Sequence, residues 1–287
     1  MQADYVERQS GLCELALHNF PLLGLGHIRI HNRDGVSYLQ EMLPVDCLFL
    51  DPARRDGHGG KTVAISDCEP DVTVLEPLLV DKAKKVMVKL SPMLDLSLAL
   101  NELKTVRAVH IVAVNNECKE LLLILQKESV SSEVSIHCEH IAGNGESRHY
   151  TFTLKREKTS PCLLADEVGT YLYEPNAAIL KAGAFRSLTQ TYPVAKLHLN
   201  SHLYTSVSLV PDFPGRRFRV EAVSGFGKKE LKAFLMDMDK ANITIRNFPL
   251  SVAELRKRLK LKEGGDDYIF ATTLSGGQKV LIRGKKC

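Results

Sequence analysis

The chain has 287 residues, is 44% hydrophobic and carries a formal net charge of +4 at pH 7. This length and apolar content suit two or three globular domains and exclude an intrinsically disordered chain. No apolar run approaches the ~20 residues that cross a membrane, and residues 1–5 lack the start of a secretion signal. The seven scattered cysteines include no Cys-x-x-Cys pair. This pattern argues against a disulfide framework or a zinc site and predicts a cytoplasmic protein without a metal.

The charge is unevenly distributed along the chain. From residue 213 onward there are 17 Lys and Arg against 8 Asp and Glu, whereas residues 1–212 hold 21 against 26. A basic terminal region on a mildly acidic body is typical of contact with a polyanion, most often a nucleic acid. A solvated basic surface gives the same counts.

The first 114 residues alternate between predicted strands and helices. Strands are predicted at 4–8, 28–31, 47–50, 85–90 and 109–114, and helices at 10–20, 36–42, 72–82 and 94–103. Ser10 is the candidate N-cap of the first helix. This alternation is typical of a parallel, doubly wound α/β sheet.

The pattern changes beyond Asn115-Asn116. Residues 117–126 fit either a helix or the return strand of a hairpin, and residues 134–141 and 150–155 predict antiparallel strands. A small α+β stretch follows at 166–213, where Pro211, Pro214 and Gly215 suit a linker. The last segment predicts strands and helices in the order 217–223, 228–240, 241–246, 251–261, and a hairpin of 268–273 with 279–283.

Acidic residues follow three of the predicted strands. Cys47 to Leu50 predicts a buried strand that ends at Asp51, and Pro52 prevents the strand from continuing. Glu7 lies near the end of the first predicted strand, and Asp34 follows the second. A carboxylate after such a strand can accept both hydroxyls of a ribose, so a ligand lying across this edge could meet all three residues. Taken singly, each residue is equally explained as a polar strand end.

Several motifs together resemble a known family. Val6-Glu7-Arg8, Asn19, Leu25-Gly26, Asp34-Gly35 and Leu50 to Arg54 look like the second half of a class I S-adenosylmethionine-dependent methyltransferase. More narrowly, the chain resembles bacterial methyltransferases with a THUMP-like domain. This narrower resemblance is carried by Leu50 to Asp56, Gly59-Gly60-Lys61, Lys89-Leu90-Ser91-Pro92, Asn116 to Glu120, Glu174 to Ala178 and the basic C-terminal region.

The resemblance implies an α/β fold, with a Rossmann-like doubly wound methyltransferase sheet lacking its first strand, followed by small α+β domains. The implied domains are a methyltransferase-like domain at 1–165, a ferredoxin-like domain at 166–213 and a basic THUMP-like domain at 214–287. It also implies a cofactor, S-adenosyl-L-methionine, with Glu7 at its ribose, Asp34 at its adenine and Asp51 near the reacting centre. Asp51, Pro52 and Arg54 form the implied catalytic loop.

RNA is the expected partner, since THUMP-type domains bind RNA in other modification enzymes. The candidate RNA-binding residues are Arg216, Arg217, Lys228, Lys229, Arg256 and Arg258. The expected function is therefore an RNA methyltransferase. The family's first strand and its G-x-G loop are not found ahead of Glu7, so the alternative is an RNA-binding protein whose methyltransferase-like domain is silent.

The remaining sequence features do not define the target or a second site. Arg54 stands where amino-directed nucleic-acid methyltransferases have an aromatic residue, which leaves the target base open. Cys68 is expected to be a buried or inert thiol. Residues 57–62 echo the end of a P-loop, but the motif's first glycine is replaced by Arg55 and no helix follows. His137 and His140 fall on opposite faces of a strand, which does not suit a shared metal.

Overall fold

The computed structural model describes residues 2–54, 64–127 and 133–287. The chain divides into two units, the first made of Met1–Val109 and Leu121–Ser132 and the second of His110–Glu120 and Glu133–Cys287. Residues 55–63, which include Gly59, Gly60, Lys61 and the P-loop echo, lie outside the described residues.

The first unit alternates strands and helices, as its sequence predicts. In chain order these are β1 (Ala3–Glu7), α1 (Ser10–Leu22), β2 (Ile28–Asn32), α2 (Gly35–Glu41), β3 (Val45–Leu50), β4 (Ala53–Arg54), a 3-10 turn (Ile65–Asp67), β5 (Cys68–Glu69), α3 (Val72–Lys82), β6 (Ala83–Leu90) and α4 (Leu96–Glu102). Aspartates begin three of the helices by accepting backbone N–H bonds: Asp34 for α2, Asp71 for α3 and Asp95 for α4. At α1, Gln9 occupies the N-cap, so the prediction of Ser10 is wrong by one residue.

Two sets of parallel strands make up this unit. β1 pairs with β2 as a separate two-stranded sheet, and β3 pairs with β6. Two long strands, β7 (Val106–Val114) and β8 (Glu117–Leu125), run from one unit into the other. Within the first unit β8 is antiparallel to β6, with Leu121 opposite Leu90. The open choice for residues 117–126 is therefore settled as a strand, because Leu121, Leu123 and Leu125 alternate into the core.

The burial of β3 differs from the prediction. Cys47 is exposed and 58% of Phe49 is accessible to solvent. Within the described part of the chain, β3 is an edge strand that pairs only with β6. The prediction of a buried strand is wrong because a short apolar run does not reveal how many neighbours the strand has.

Asp4 on β1 ties the two strands of the small sheet together. Its carboxylate accepts hydrogen bonds from Arg29 Nε at 2.7 Å, from Arg29 Nη2 at 3.0 Å and from Tyr38 Oη at 3.2 Å, and His31 Nε2 lies 3.2 Å away. Arg29, acting against partial burial, holds the pKa of Asp4 below its usual range, with smaller contributions from His31 and Tyr38.

This pKa shift predicts a pH-dependent contribution to stability. Because the folded-state pKa is lower than the unfolded one, Asp4 stabilises the fold above about pH 4 and loses this effect as the pH falls through the folded pKa. We expect Asp4→Asn to be less stable than the parent at pH 7, and the difference to shrink between about pH 5 and pH 2. Urea unfolding followed by circular dichroism, repeated across this pH range, measures the difference in stability. Asp46→Asn, which breaks an exposed pair with Lys84, is the control and should change little. A difference that stays constant with pH would contradict the assignment.

The second unit is α+β. After the ends of β7 and β8 it contains β9 (Ser135–Ile141), β10 (Ser147–Thr153), α5 (Leu154–Thr159), β11 (Tyr171–Pro175), α6 (Ala177–Ala182), α7 (Ser187–Thr191), β12 (Ala195–Lys196), β13 (Tyr204–Ser206), β14 (Gly215–Ser224), α8 (Lys228–Phe234), β15 (Asn242–Arg246), α9 (Val252–Leu259), β16 (Asp267–Thr273) and β17 (Lys279–Lys286). Here β7 is followed in the strand order by β9 and β10, and seven strands form a second sheet in the order β12-β13-β11-β14-β17-β16-β15.

Residues 211–215, which suit a linker by sequence, join strands of a single sheet. β14 begins at Gly215 and pairs with β11, so the stretches on either side belong to one sheet. A Cβ atom at Gly215 would lie 2.0 Å from the Glu174 carbonyl oxygen, and this close approach requires glycine. α8 is shorter than predicted, and Asp237, at a φ of 64°, follows its end. In the described residues, no helix is both long and apolar enough to span a membrane.

Candidate functional site

In the first unit, the predicted carboxylates lie at the ends of three strands. Glu7 is the last residue of β1, and its Oε1 accepts a hydrogen bond from the Gln9 backbone N–H at 2.7 Å. Asp34 follows β2 and caps α2, where its Oδ1 accepts bonds from the Ser37 backbone N–H at 2.8 Å and from Ser37 Oγ at 3.0 Å. These bonds hold the pKa of Asp34 below its usual range, so its carboxylate is charged at neutral pH.

Asp51 directly follows β3 and is paired with a lysine from the neighbouring strand. Its Oδ2 lies 2.6 Å from Lys89 Nζ, where Lys89 is the second-last residue of β6. The Asp51 side chain is 54% exposed and that of Lys89 is 31% exposed. Since β3 and β6 are parallel, the pair stands at the carboxyl end of both strands, where open α/β sheets place their ligands.

A second contact joins the loop after β3 to the end of β1. β4 pairs with β5, which sets Ala53 opposite Glu69, and the Glu69 carboxylate lies 3.2 Å from Arg8 Nη1. Arg8 is the residue after Glu7. The structure therefore brings the chain segment that contains Asp51 towards the strand end that carries Glu7, although these segments are far apart in sequence.

These residues fit the adenosine half of the implied cofactor. Glu7 and Asp34 each use one oxygen atom for the local backbone bonds described above, which leaves carboxylate acceptor capacity for hydroxyl or amino donors. In the described residues of the first unit, no G-x-G turn directly follows a strand, so these residues include no equivalent candidate for the methionine part. These acceptors therefore suit the hydroxyls of a ribose and an adenine amino group.

The remaining predicted loop residues are only partly described. Pro52 is half-buried between Asp51 and β4, and Arg54 contributes its backbone to β4 opposite Cys68. The Arg54 side chain and Asp56 lie outside the described part of the chain. Cys68 is 2% exposed, so the prediction of a buried thiol is confirmed.

The candidate RNA-binding residues divide into two groups. Arg216 donates to the buried Glu174 carboxylate, which Arg246 Nη2 also contacts at 2.8 Å, so Arg216 stabilises the fold. Arg217 donates to the Pro211 carbonyl, Arg256 donates to the Ala241 carbonyl at 3.2 Å, and the Arg258 guanidinium lies over the Phe226 ring. Lys228 and Lys229 are exposed at the start of α8.

Two motifs that the sequence singles out only through the family resemblance contact each other in the second unit. The turn between β7 and β8 consists of Asn115 and Asn116, which both have positive φ. Asn116 Oδ1 accepts a hydrogen bond from the Ala177 backbone N–H at 2.9 Å, which joins this turn to the Glu174-Pro175-Asn176 segment. Sequence reasoning missed this contact, and the adjacent asparagines, a pair favoured at positive φ, were the available signal.

Another group of residues has metal-ligand chemistry. His110, His137 and Glu139 place one ligand atom each within 4.8 Å of one another. The two imidazole rings are stacked at 4.5 Å between centroids with 11° between their planes, and no single ion can lie in two parallel ring planes. Both His137 nitrogens also lie near hydroxyls, those of Ser135 and Thr151. As it stands, the group is a stacked pair within a hydroxyl network, and the absence of a metal stays a prediction.

The clefts in each unit help to locate candidate sites. In the first unit, a shallow cleft of about 400 Å³ lies at the amino ends of β3 and β6. Its lining does not include Glu7, Asp34 or Asp51. Its charges are already paired, since Lys84 binds Asp46 and Lys127 binds Asp81, both at 2.7 Å. In the second unit, a cleft of about 380 Å³ is lined by the asparagine turn and by basic side chains.

Comparisons with known proteins agree with this architecture. A ferredoxin-like domain family matches residues 171–214, and a THUMP domain-like family matches residues 215–286. No curated protein matched the chain significantly. A crystal structure of a presumed methyltransferase from Porphyromonas gingivalis W83 is 36% identical, with a TM-score of 0.88 over 100% of this chain and 72% of that chain. The protein therefore has the α/β fold expected from its sequence and belongs to the family of methyltransferases that carry a THUMP-like domain.

Proposed function

We propose that the protein transfers a methyl group from S-adenosyl-L-methionine to RNA. The observation that carries this proposal is the set of carboxylates at three strand ends, Glu7, Asp34 and Asp51, in a chain 36% identical to a presumed methyltransferase. Strand ends of this kind are where α/β sheets bind nucleotide-like ligands.

Each residue has a distinct task in this proposal. Glu7 accepts hydrogen bonds from the two ribose hydroxyls. Asp34 accepts a hydrogen bond from the adenine amino group while it continues to cap α2. The bound cofactor supplies an electrophilic methyl group. Asp51, held by Lys89, orients the target group on the RNA, so that catalysis rests mainly on proximity and alignment.

The RNA partner is supported by the THUMP-like region and its charge. Residues 215–286 match this domain family, and the exposed Lys228 and Lys229 supply cations for phosphate contacts. All seven cysteines lie in the described residues and remain thiols, which supports a reducing compartment such as the cytoplasm.

Calorimetric titration with S-adenosylhomocysteine tests the cofactor site. We expect the parent chain to bind it with a micromolar Kd. Glu7→Gln and Asp34→Ser should each weaken binding by about tenfold, because one charge-assisted hydrogen-bond group is worth ~1.5 kcal/mol or more. Serine still caps α2, and glutamine keeps an oxygen for the Gln9 N–H, so neither change should disturb folding. Glu14→Gln on the exposed face of α1 is the matched control.

A second candidate is an RNA-binding protein with a silent methyltransferase-like domain. It is favoured because, in the described residues of the first unit, no G-x-G turn directly follows a strand. A folded parent chain that binds RNA but not S-adenosylhomocysteine would support this candidate against the enzyme. Equal affinity of the parent and both variants would show that Glu7 and Asp34 do not hold the cofactor.

A further inference from the structure

The second unit contains a cleft of about 380 Å³ that the proposed methyl transfer does not use. Its lining includes amide and imidazole side chains and several cations. The residues that matter here are Asn115, Asn116, His140, Arg148, Arg217 and Lys286. Its volume is at the lower end of the ~300–1,000 Å³ of small-molecule sites, which suits a ligand about as large as one nucleotide.

The floor of the cleft is fixed by hydrogen bonds around Asn116. Its backbone N–H donates to His140 Nε2 at 3.1 Å, and its Oδ1 accepts from the Ala177 N–H at 2.9 Å. The bond to His140 makes Nε2 the acceptor, so the proton of the neutral imidazole is on Nδ1. Burial, followed by the charge of Arg148, lowers the pKa of His140 and keeps it neutral at pH 7. The Asn116 side chain lines the cleft, and its Nδ2 group remains able to donate hydrogen bonds.

The cations in the cleft come from three different strands. Arg148 is on β10, Arg217 on β14 and Lys286 on β17, and Arg148 and Lys286 are exposed. Among the described residues neither of these two side chains forms an ion pair, whereas Arg216 is neutralised by Glu174. Among the described residues that line the cleft, Glu146 has the one acidic side chain. The balance favours an anionic ligand.

We propose that this cleft binds one nucleotide of a single-stranded RNA. Arg148, Arg217 and Lys286 pair with its phosphate and the neighbouring ones, and the asparagine turn donates hydrogen bonds to acceptors on the base edge. Cations spread over three strands suit a chain of phosphates better than one small anion. This inference rests on the proposed function, because it assigns a binding site to the RNA that is methylated.

The inference also explains why two motifs contact each other. The Asn115-Asn116 turn can adopt its positive φ angles only with residues that tolerate them, and the contact with Ala177 orients the Asn116 amide. In addition, a Cβ at Gly143 would approach Asn115 Oδ1 to 3.0 Å, so glycine leaves room for that side chain. The turn is thus held in place with amide donors still available.

Fluorescence anisotropy with a fluorescein-labelled single-stranded RNA of about 12 nucleotides and mixed sequence tests the site on the full chain. We expect the double variant Arg148→Glu/Lys286→Glu to lose at least about tenfold in affinity. Its slope of log K against log salt should fall by roughly 1.4, since two phosphate contacts are lost. Asn116→Gly, which tolerates positive φ, should weaken binding about fivefold without changing the salt slope. Lys85→Glu/Lys104→Glu in the first unit makes the same charge change and should bind nearly as the parent does.

The outcomes separate this inference from the cofactor proposal. If the cleft variants bind RNA as the parent does while Lys228→Glu/Lys229→Glu loses affinity, the RNA lies at the start of α8 and not in the cleft, and the cleft assignment is overturned. It is also overturned if inorganic phosphate stabilises the parent thermally but the parent does not bind the RNA. Binding of S-adenosylhomocysteine, measured separately, would still stand in both cases. Circular dichroism of each variant verifies that it is folded.

Discussion

Replacing Glu174 by alanine is expected to lower the free energy of unfolding by about 3 kcal/mol, the lower limit for breaking a buried ion pair. The Glu174 side chain is 3% exposed and binds two arginines, Arg216 through Oε2 and Arg246 through Oε1 at 2.8 Å. Both arginine side chains are about one-third exposed, so water recovers part of the loss. The two arginines left behind would also repel each other.

Urea unfolding followed by circular dichroism and tyrosine fluorescence measures this effect. Glu174→Gln should be intermediate, because the amide oxygen can still accept one hydrogen bond but carries no charge. Glu69→Ala is the matched control, since its partner Arg8 is 63% exposed and exposed pairs are worth ~0–1 kcal/mol. If Glu174→Ala were as stable as Glu69→Ala, the buried pair would not hold β11 to β14 and β15 as the contacts indicate.

Replacing Asp51 by alanine is expected to reduce methyl transfer to RNA by at least about 100-fold. Loss of an orienting group at a reacting centre has effects of this size even when the displacement is small. Binding of S-adenosylhomocysteine should weaken much less, because Glu7 and Asp34 carry the adenosine contacts in our proposal. The separation between rate and affinity is what identifies Asp51 as part of the chemistry.

Transfer of labelled methyl groups under single-turnover conditions, combined with calorimetry, measures both quantities. Lys89→Ala should lower the rate less than Asp51→Ala, since the carboxylate stays but loses the partner that holds it at 2.6 Å. Asp46→Asn provides a matched control at the other end of β3. There Asp46 Oδ1 lies 2.7 Å from Lys84 Nζ, in a similar aspartate–lysine pair. Unchanged transfer by Asp51→Ala from an active parent would exclude its proposed role.

Features that depend on local sequence were predicted well. The helix Val72–Lys82 has the predicted bounds, and its cap, Asp71, lies just before it. Strands β1, β2 and β3 end near the acidic residues that the sequence singled out, because alternating apolar residues and nearby turn residues act within a few positions. The burial of Cys68 is likewise as predicted.

Features that depend on neighbours far along the chain were not predictable in this way. Residues 117–125 are a strand because they pair with β6, and Phe49 is exposed because β3 has one strand partner in the described chain. A sequence window of about ten residues reveals neither the pairing of residues 117–125 with β6 nor the number of strands that flank β3.

The sequence by itself therefore determined the alternation of elements, the acidic strand ends and the basic C-terminal region, since each depends on short-range patterns of polarity and charge. Only the tertiary structure decided which of those charges are available. Arg216 and Arg246 lie 42 and 72 residues from the Glu174 that binds them, and Asn116 lies 61 residues from Ala177. Such partners are chosen by strand pairing and burial, which remove some charges from solvent and leave others, such as Arg148 and Lys286, exposed in a cleft.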